Sequence, residues 1–79
     1  MSLIGETKLR ILLRLRDEPT HGYKLANELD ISSGYVYRHL EELQEAGMIA
    51  ILDAEEEGRQ RKVYQLTENG ELLLEALGE

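Results

Sequence analysis

Ser33, Gly34, Tyr35 and Arg38 have the types and spacing that suit contact with a nucleic-acid groove. An arginine carries a planar fork of donors that can meet both acceptors on a guanine edge, and a phenol can bond a phosphate or rest on a sugar. Ser33 and Gly34 open a predicted helix, where unpaired amide protons and the helix dipole favour an approaching anion. A second cluster, Arg59, Arg61 and Lys62, follows Gly58 and reads as the basic tip of a hairpin suited to phosphate or minor-groove contact. Each cluster has a plainer reading. Tyr35 and Arg38 could sit on a solvated helix face, and the hairpin cations could pair with Glu55, Glu56 and Glu57.

Tyr23 and Tyr37 are secondary candidates for phosphate contact. Tyr37 lies about 100° around the helix from Val36, on the border of the apolar stripe, so packing against the preceding helix competes with any contact outside. His39 lies on the other border and reads as structural, as does His21 at the start of the preceding helix. Glu41, Glu42 and Glu45 follow on the outer face and repel phosphate, so only the first two turns suit a deep groove. No serine, histidine and acid are spaced for a nucleophilic triad, and there is no glycine-rich phosphate loop. Without cysteine there is no disulfide or thiolate site, and two histidines are too few for a zinc centre without an unusual set of carboxylates. No catalytic residue, metal or cofactor is expected.

The elements that must position these residues follow one another with short turns. Helix one is predicted over residues 6–16, with Leu9, Leu12 and Leu13 as its buried stripe and Ile11 and Leu15 widening it. Its cations, Lys8, Arg10, Arg14 and Arg16, read either as a solvated face pairing with acids or as a further phosphate contact. Asp17-Glu18-Pro19 ends this helix, because the residue before a proline is pushed out of helical geometry. Helix two is predicted from Thr20, as its cap, through Tyr23, Leu25, Ala26 and Leu29. Ser32 caps helix three; Val36, Leu40 and Leu43 at i, i+4 and i+7 face a core, and Gly47 suits the left-handed exit. Residues 48–52 and 62–66 have strand character, with Val63 and Gln65 alternating against Tyr64 and Leu66. Thr67 caps a last helix that buries Leu73 and Leu77 on helix one, leaving Leu72 and Leu74 as a candidate dimer interface.

Two helices about four residues apart, a candidate reader helix and a basic hairpin add up to a winged helix-turn-helix. The expected class is α+β, mostly α: a three-helix core, a two-stranded β-hairpin wing and a short C-terminal helix. The 79 residues form one domain, with the helix-turn-helix at about 20–46, the wing at about 48–66 and the last helix at about 67–78.

Charge runs against this reading at first sight. The net charge is −7 and the isoelectric point about 4.8, whereas nucleic-acid-binding domains are usually basic. Its distribution resolves part of the conflict. From Thr67 onward Glu68, Glu71, Glu75 and Glu79 meet no base, while residues 58–62 hold three bases and no acid. Screening confines each charge to about 8–10 Å at ordinary salt, so a local basic patch keeps its own sign. The acid excess suits a salt-rich cytosol of a halophile; alternatively, it marks a winged-helix module that binds a protein and never meets DNA. A ligand-sensing switch needs a cavity that a chain of this size has little room to enclose. No apolar run is long enough for a membrane helix, and a signal peptide's basic start is missing, so a cytoplasmic location is expected.

Three runs carry a family resemblance. His21-Gly22-Tyr23 with Leu25, then Ser32-x-Gly34-x-x-Tyr37-x-x-Leu40-x-x-Leu43, then Glu45-x-Gly47-x-Ile49, resemble the PadR-like winged-helix regulators. Gly58-Arg59-x-Arg61-Lys62-x-Tyr64-x-Leu66-Thr67-x-x-Gly70 is similar to that family's wing and exit helix, a pattern shared with MarR-like groups. The resemblance covers roughly residues 8–77. It implies a transcriptional regulator of double-stranded DNA, commonly a repressor and usually a homodimer. Ser33 stands where family members usually carry proline, and many members continue past the wing into a long dimerising helix or second domain. No effector molecule is legible in the sequence.

Overall fold

A computed structural model describes residues 4–54 and 62–79. Its elements are α1 (Glu6–Asp17), β1 (Thr20–His21), α2 (Gly22–Leu29), α3 (Ser33–Glu45), β2 (Ile49–Ala54), β3 (Lys62–Leu66) and α4 (Glu68–Ala76). The hairpin tip, including Gly58, Arg59 and Arg61, lies outside the described residues.

Helix ends follow local chemistry. Glu18 is extended ahead of Pro19 and closes α1. The Ser32 hydroxyl accepts the Tyr35 amide at 3.3 Å and starts α3. At the other end Met48 donates to the Leu43 carbonyl and Gly47 to that of Gln44, the paired bonds of a Schellman exit, with Gly47 at φ 80°. Between α2 and α3 the same pair of bonds recurs, but the left-handed position is Asp30, at φ 58°. Aspartate visits that region more readily than most side chains. This places α3 only a few residues after α2.

The core takes Ile11, Leu12 and Leu15 from α1, Leu25 and Ala26 from α2, and Val36, Leu40 and Leu43 from α3, closed by Ile49, Tyr64 and Leu74. Each large side chain fully buried here contributes about 1.5–3 kcal/mol. Two expectations shift. On α1, Leu9 and Leu13 are only partly buried, and the stripe centres on Ile11, Leu12 and Leu15. On α4, Leu74 is fully buried whereas Leu72 is 55% exposed, which removes Leu74 from any dimer surface and leaves Leu72 on it. The turn offset between the two decides it: α4 starts where Thr67 is held, and that fixes which leucine faces α1.

Thr67 is held firmly. Its hydroxyl accepts the Gly70 amide at 3.1 Å and donates to the Gly47 carbonyl at 2.7 Å, tying the start of α4 to the exit of α3. A Cβ on Gly70 would lie 2.3 Å from the Met48 carbonyl oxygen, so only glycine allows that approach.

The sheet has three strands in the order β1-β3-β2, all antiparallel, rather than the expected two. Thr20, expected to cap helix two, pairs with Tyr64, and His21 pairs with Val63. Helix α2 begins at Gly22 with no side-chain cap. Two residues are too few to display strand alternation, and the partner strand lies far along the chain. In the β2–β3 ladder the register passes from Ile51 opposite Tyr64 to Asp53 opposite Val63, so Leu52 is the extra residue of a bulge.

Candidate nucleic-acid interface

The first turns of α3 present a shallow open hollow lined by Ser32, Gly34, Tyr35 and Arg38. The capped start explains the arrangement. With Val36, Leu40 and Leu43 turned into the core, Gly34, Tyr35 and Arg38 fall on the opposite side of the helix and face out. Gly34 has open space where a Cβ would be, so nothing bulky stands between the first turn and an approaching surface. Tyr35 is 48% exposed, yet its ring is restrained by His39: centroids 4.6 Å apart and planes at 75°. The His39 ring nitrogens have no hydrogen-bond partner among the described residues, and Nδ1 lies 3.9 Å from a Glu42 carboxylate oxygen. Ser33 is half-buried at the helix start, where the helix dipole favours an anion.

Around this hollow the cations divide into two sets. Those of α1 have partners in the protein. Lys8 reaches Glu42 at 2.7 Å, Arg14 pairs with Glu28 and lies 3.6 Å from Glu18, and Arg10 donates to the Leu29 carbonyl at 3.2 Å. The last contact places a cation on the C-terminal carbonyls of α2, where the helix dipole favours it. Of the α1 cations, Lys8 and Arg14 pair with acids, while Arg10 and Arg16 donate to backbone carbonyls. Lys24, Arg38 and Lys62, by contrast, are exposed and make no side-chain hydrogen bond or close ion pair among the described residues, although Lys24 and Arg38 act at longer range on Glu28 and Glu42.

The Lys8 contact also lowers the negative charge that α3 presents. Glu42 was expected to repel phosphate together with Glu41 and Glu45. The hydrogen bond from Lys8, followed by its charge, holds the Glu42 carboxyl below the usual carboxylate range, with His39 and Arg38 adding to the effect. Glu42 is thus neutralised locally, while Glu41 and Glu45 stay exposed. Lys24, on the outer face of α2, was not singled out from the sequence. Its signal was available: a lysine one position after the exposed Tyr23, just ahead of the reader helix.

The remaining candidates are dispersed. Tyr23 is 67% exposed on α2. Tyr37 is half-buried, with its phenol end against Gly22. Lys62 lies at the hairpin end of the β2–β3 ladder, opposite Ala54. Among the described residues no three metal-ligating side chains converge and no helix is long and apolar enough to cross a membrane.

Known proteins share both sequence and fold with this chain. Residues 11–76 match the transcriptional regulator PadR-like family. An uncharacterised helix-turn-helix-type transcriptional regulator of Methanocaldococcus jannaschii is 31% identical over 67 residues, covering 85% of this chain and 70% of that protein. A PadR family transcription regulator from hypervirulent Clostridium difficile superposes with a TM-score of 0.80 at 23% identity, covering 94% of this chain and 84% of that one. The adhesin competence repressor of Streptococcus pyogenes also gives 0.80, at 22% identity over 91% of this chain. This chain spans about half, 53%, of the latter's length. These two likenesses establish the winged-helix fold. The extent of the family match, together with the archaeal relative, places the chain in the PadR-like family of transcriptional regulators, a family of regulators and not of enzymes.

Proposed function

We propose that this protein reads specific sequences in double-stranded DNA, with α3 in the major groove and the wing on the flanking backbone or minor groove. The observation that carries the reading is the hollow at the start of α3, where Gly34, Tyr35 and Arg38 meet beside the Ser32-capped first turn. Arg38 recognises a base edge, and Tyr35, steadied by His39, takes a sugar or phosphate. Ser33 and Gly34 bring backbone amides to a phosphate. Lys24 and Lys62, joined by Arg59 and Arg61 of the hairpin tip, neutralise further phosphates on either side, and Tyr23 lies at the margin of the same contact. Family membership supports a regulatory outcome, with repression the favoured direction.

The active form is a two-fold dimer in the cytoplasm, reading half-sites separated by about one helical turn. Leu72 is exposed on α4 and belongs to the surface that would meet a second copy. Selection of bound sequences from a random DNA pool, followed by anisotropy titrations at several salt concentrations, tests the reading. A symmetric enriched site, and an affinity that falls by roughly 0.9 log units per neutralised phosphate for each log unit of salt, are expected. No enrichment and no binding at low salt would overturn it.

A further inference from the structure

Behind the reader helix, aromatic side chains gather around a glycine. A Cβ built on Gly22 would lie 2.6 Å from Cζ of Tyr37, 2.7 Å from its Cε1 and 2.8 Å from its hydroxyl oxygen. No side chain fits there, and the phenol end of Tyr37 lies directly on the first residue of α2. Tyr23 meets Tyr37 edge-on, with ring centroids 6.1 Å apart and planes at 83°. Burial pushes the Tyr37 hydroxyl up, Tyr23 pushes it further, and a backbone hydrogen bond with Tyr23 draws it partly back. On the sheet side, Tyr64 is raised first by burial and then by Tyr37. Tyr64 is paired across the sheet with Thr20, just ahead of Gly22. Tyr37 therefore stands where α2, α3 and β3 converge.

That placement decides between the two roles open to Tyr37. The hydroxyl, the part of a tyrosine that bonds phosphate, is the part lying on Gly22. The covalent link between α2 and α3 is a short turn through Asp30, Ile31 and Ser32, which leaves the pitch of one helix on the other to side-chain packing. A rigid ring seated on a bare backbone, edge-on to Tyr23 and packed against the core, is suited to fix it. We infer that Tyr37 is a positioning residue for DNA recognition: seated on Gly22, it sets the pitch of α3 against α2, and so where Tyr35 and Arg38 meet the duplex, without touching DNA itself. The inference rests on the DNA-reading function proposed above.

The test is a double-mutant cycle on duplex affinity with the intact chain and the enriched site, below the melting temperature of every variant. Gly22→Ala and Tyr37→Leu should each weaken specific binding about tenfold or more, and the double variant should lose much less than the product of the two, because the shorter leucine side chain no longer meets the added methyl. Tyr37→Phe keeps the ring, and should bind within about threefold of the wild type with the same preference at the Arg38 base position. Additive losses in the cycle overturn the inference. So does a tenfold loss in Tyr37→Phe at unchanged melting temperature, which would assign the hydroxyl to phosphate. If Gly22→Ala fails to fold, the Phe and Leu variants decide alone: equal losses in both overturn it, and rescue by Phe upholds it. A wild-type chain with no duplex affinity removes the functional reading itself, and is recognised before any variant is compared.

Discussion

On α1, Lys8, Arg10 and Arg14 end on a carboxylate, a helix's last carbonyls and a second carboxylate; on α2, α3 and β3, Lys24, Arg38 and Lys62 end in solvent. Both sets are made of the same two residue types, and both lie in a protein of net charge −7. Basic residues are thus available to an outside anion only where the fold gives them no hydrogen bond or close ion pair. Net charge does not report that. An acidic chain can present a cationic footprint where nearby acids are paired, as Glu28 and Glu42 are, where others gather on another element, as the glutamates of α4 do, and where those left exposed, Glu41 and Glu45, fall on the later turns of α3. Desolvating a cation that already has a carboxylate partner returns little at a phosphate, since one favourable contact is exchanged for another.

Substitutions on the two sets should therefore separate cleanly. The largest effect is expected from Arg38→Ala, which should cost about 1–3 kcal/mol of discrimination at one base pair of each half-site and relax preference there alone. Competition titrations against single-base variants of the site measure it. Lys24→Ala and Lys62→Ala should weaken binding to all sequences alike, each lowering the magnitude of the salt slope by about 0.9 per protomer, about 1.8 for the bound dimer. Arg14→Ala should do the reverse: a small fall in melting temperature with the salt slope unchanged. If Arg14→Ala flattened the slope as much as Lys62→Ala, the division into paired and free cations would not hold.

The smallest effect concerns acid. Glu28 and Glu42 are held below their ordinary value of 4.5, first by hydrogen bonds from Arg14 and Lys8 respectively. A carboxyl whose folded value is depressed contributes stability that is present above its unfolded value and is lost as pH falls through the folded one. Chemical denaturation across that acid range should show stability declining below about pH 4.5. The decline should be shallower in Lys8→Met, which removes the largest cause acting on Glu42. An identical pH profile in that variant would deny the Lys8–Glu42 pair any part in it.

What the sequence disclosed depended on the range of the interaction. The Ser32 cap, the Gly47 exit, the proline-terminated α1 and the bounds of β3 are set by neighbours a few residues away, and each is found as read. The outward turn of Gly34, Tyr35 and Arg38 was equally legible, because it follows from the apolar stripe of the same helix. The failures share a cause in distance. Thr20 reads locally as a cap, yet a strand far along the chain claims it for β1. Leu72 and Leu74 are the same residue type on one helix, and only packing against α1 tells the core leucine from the exposed one. The Lys8–Glu42 pair and the seat of Tyr37 on Gly22 join separate elements, and no periodicity announces either. Arg59 and Arg61, central to the sequence reading of the wing, lie outside the described residues, so Lys62 alone speaks for that cluster.

An amide chemical-shift map of the labelled protein, titrated with its enriched duplex, would show which cations meet DNA. The predicted footprint covers Lys24, Ser33, Gly34, Tyr35, Arg38 and Lys62, with Arg10 and Arg14 undisturbed. Perturbation centred on α1, or none at low salt, would contradict it.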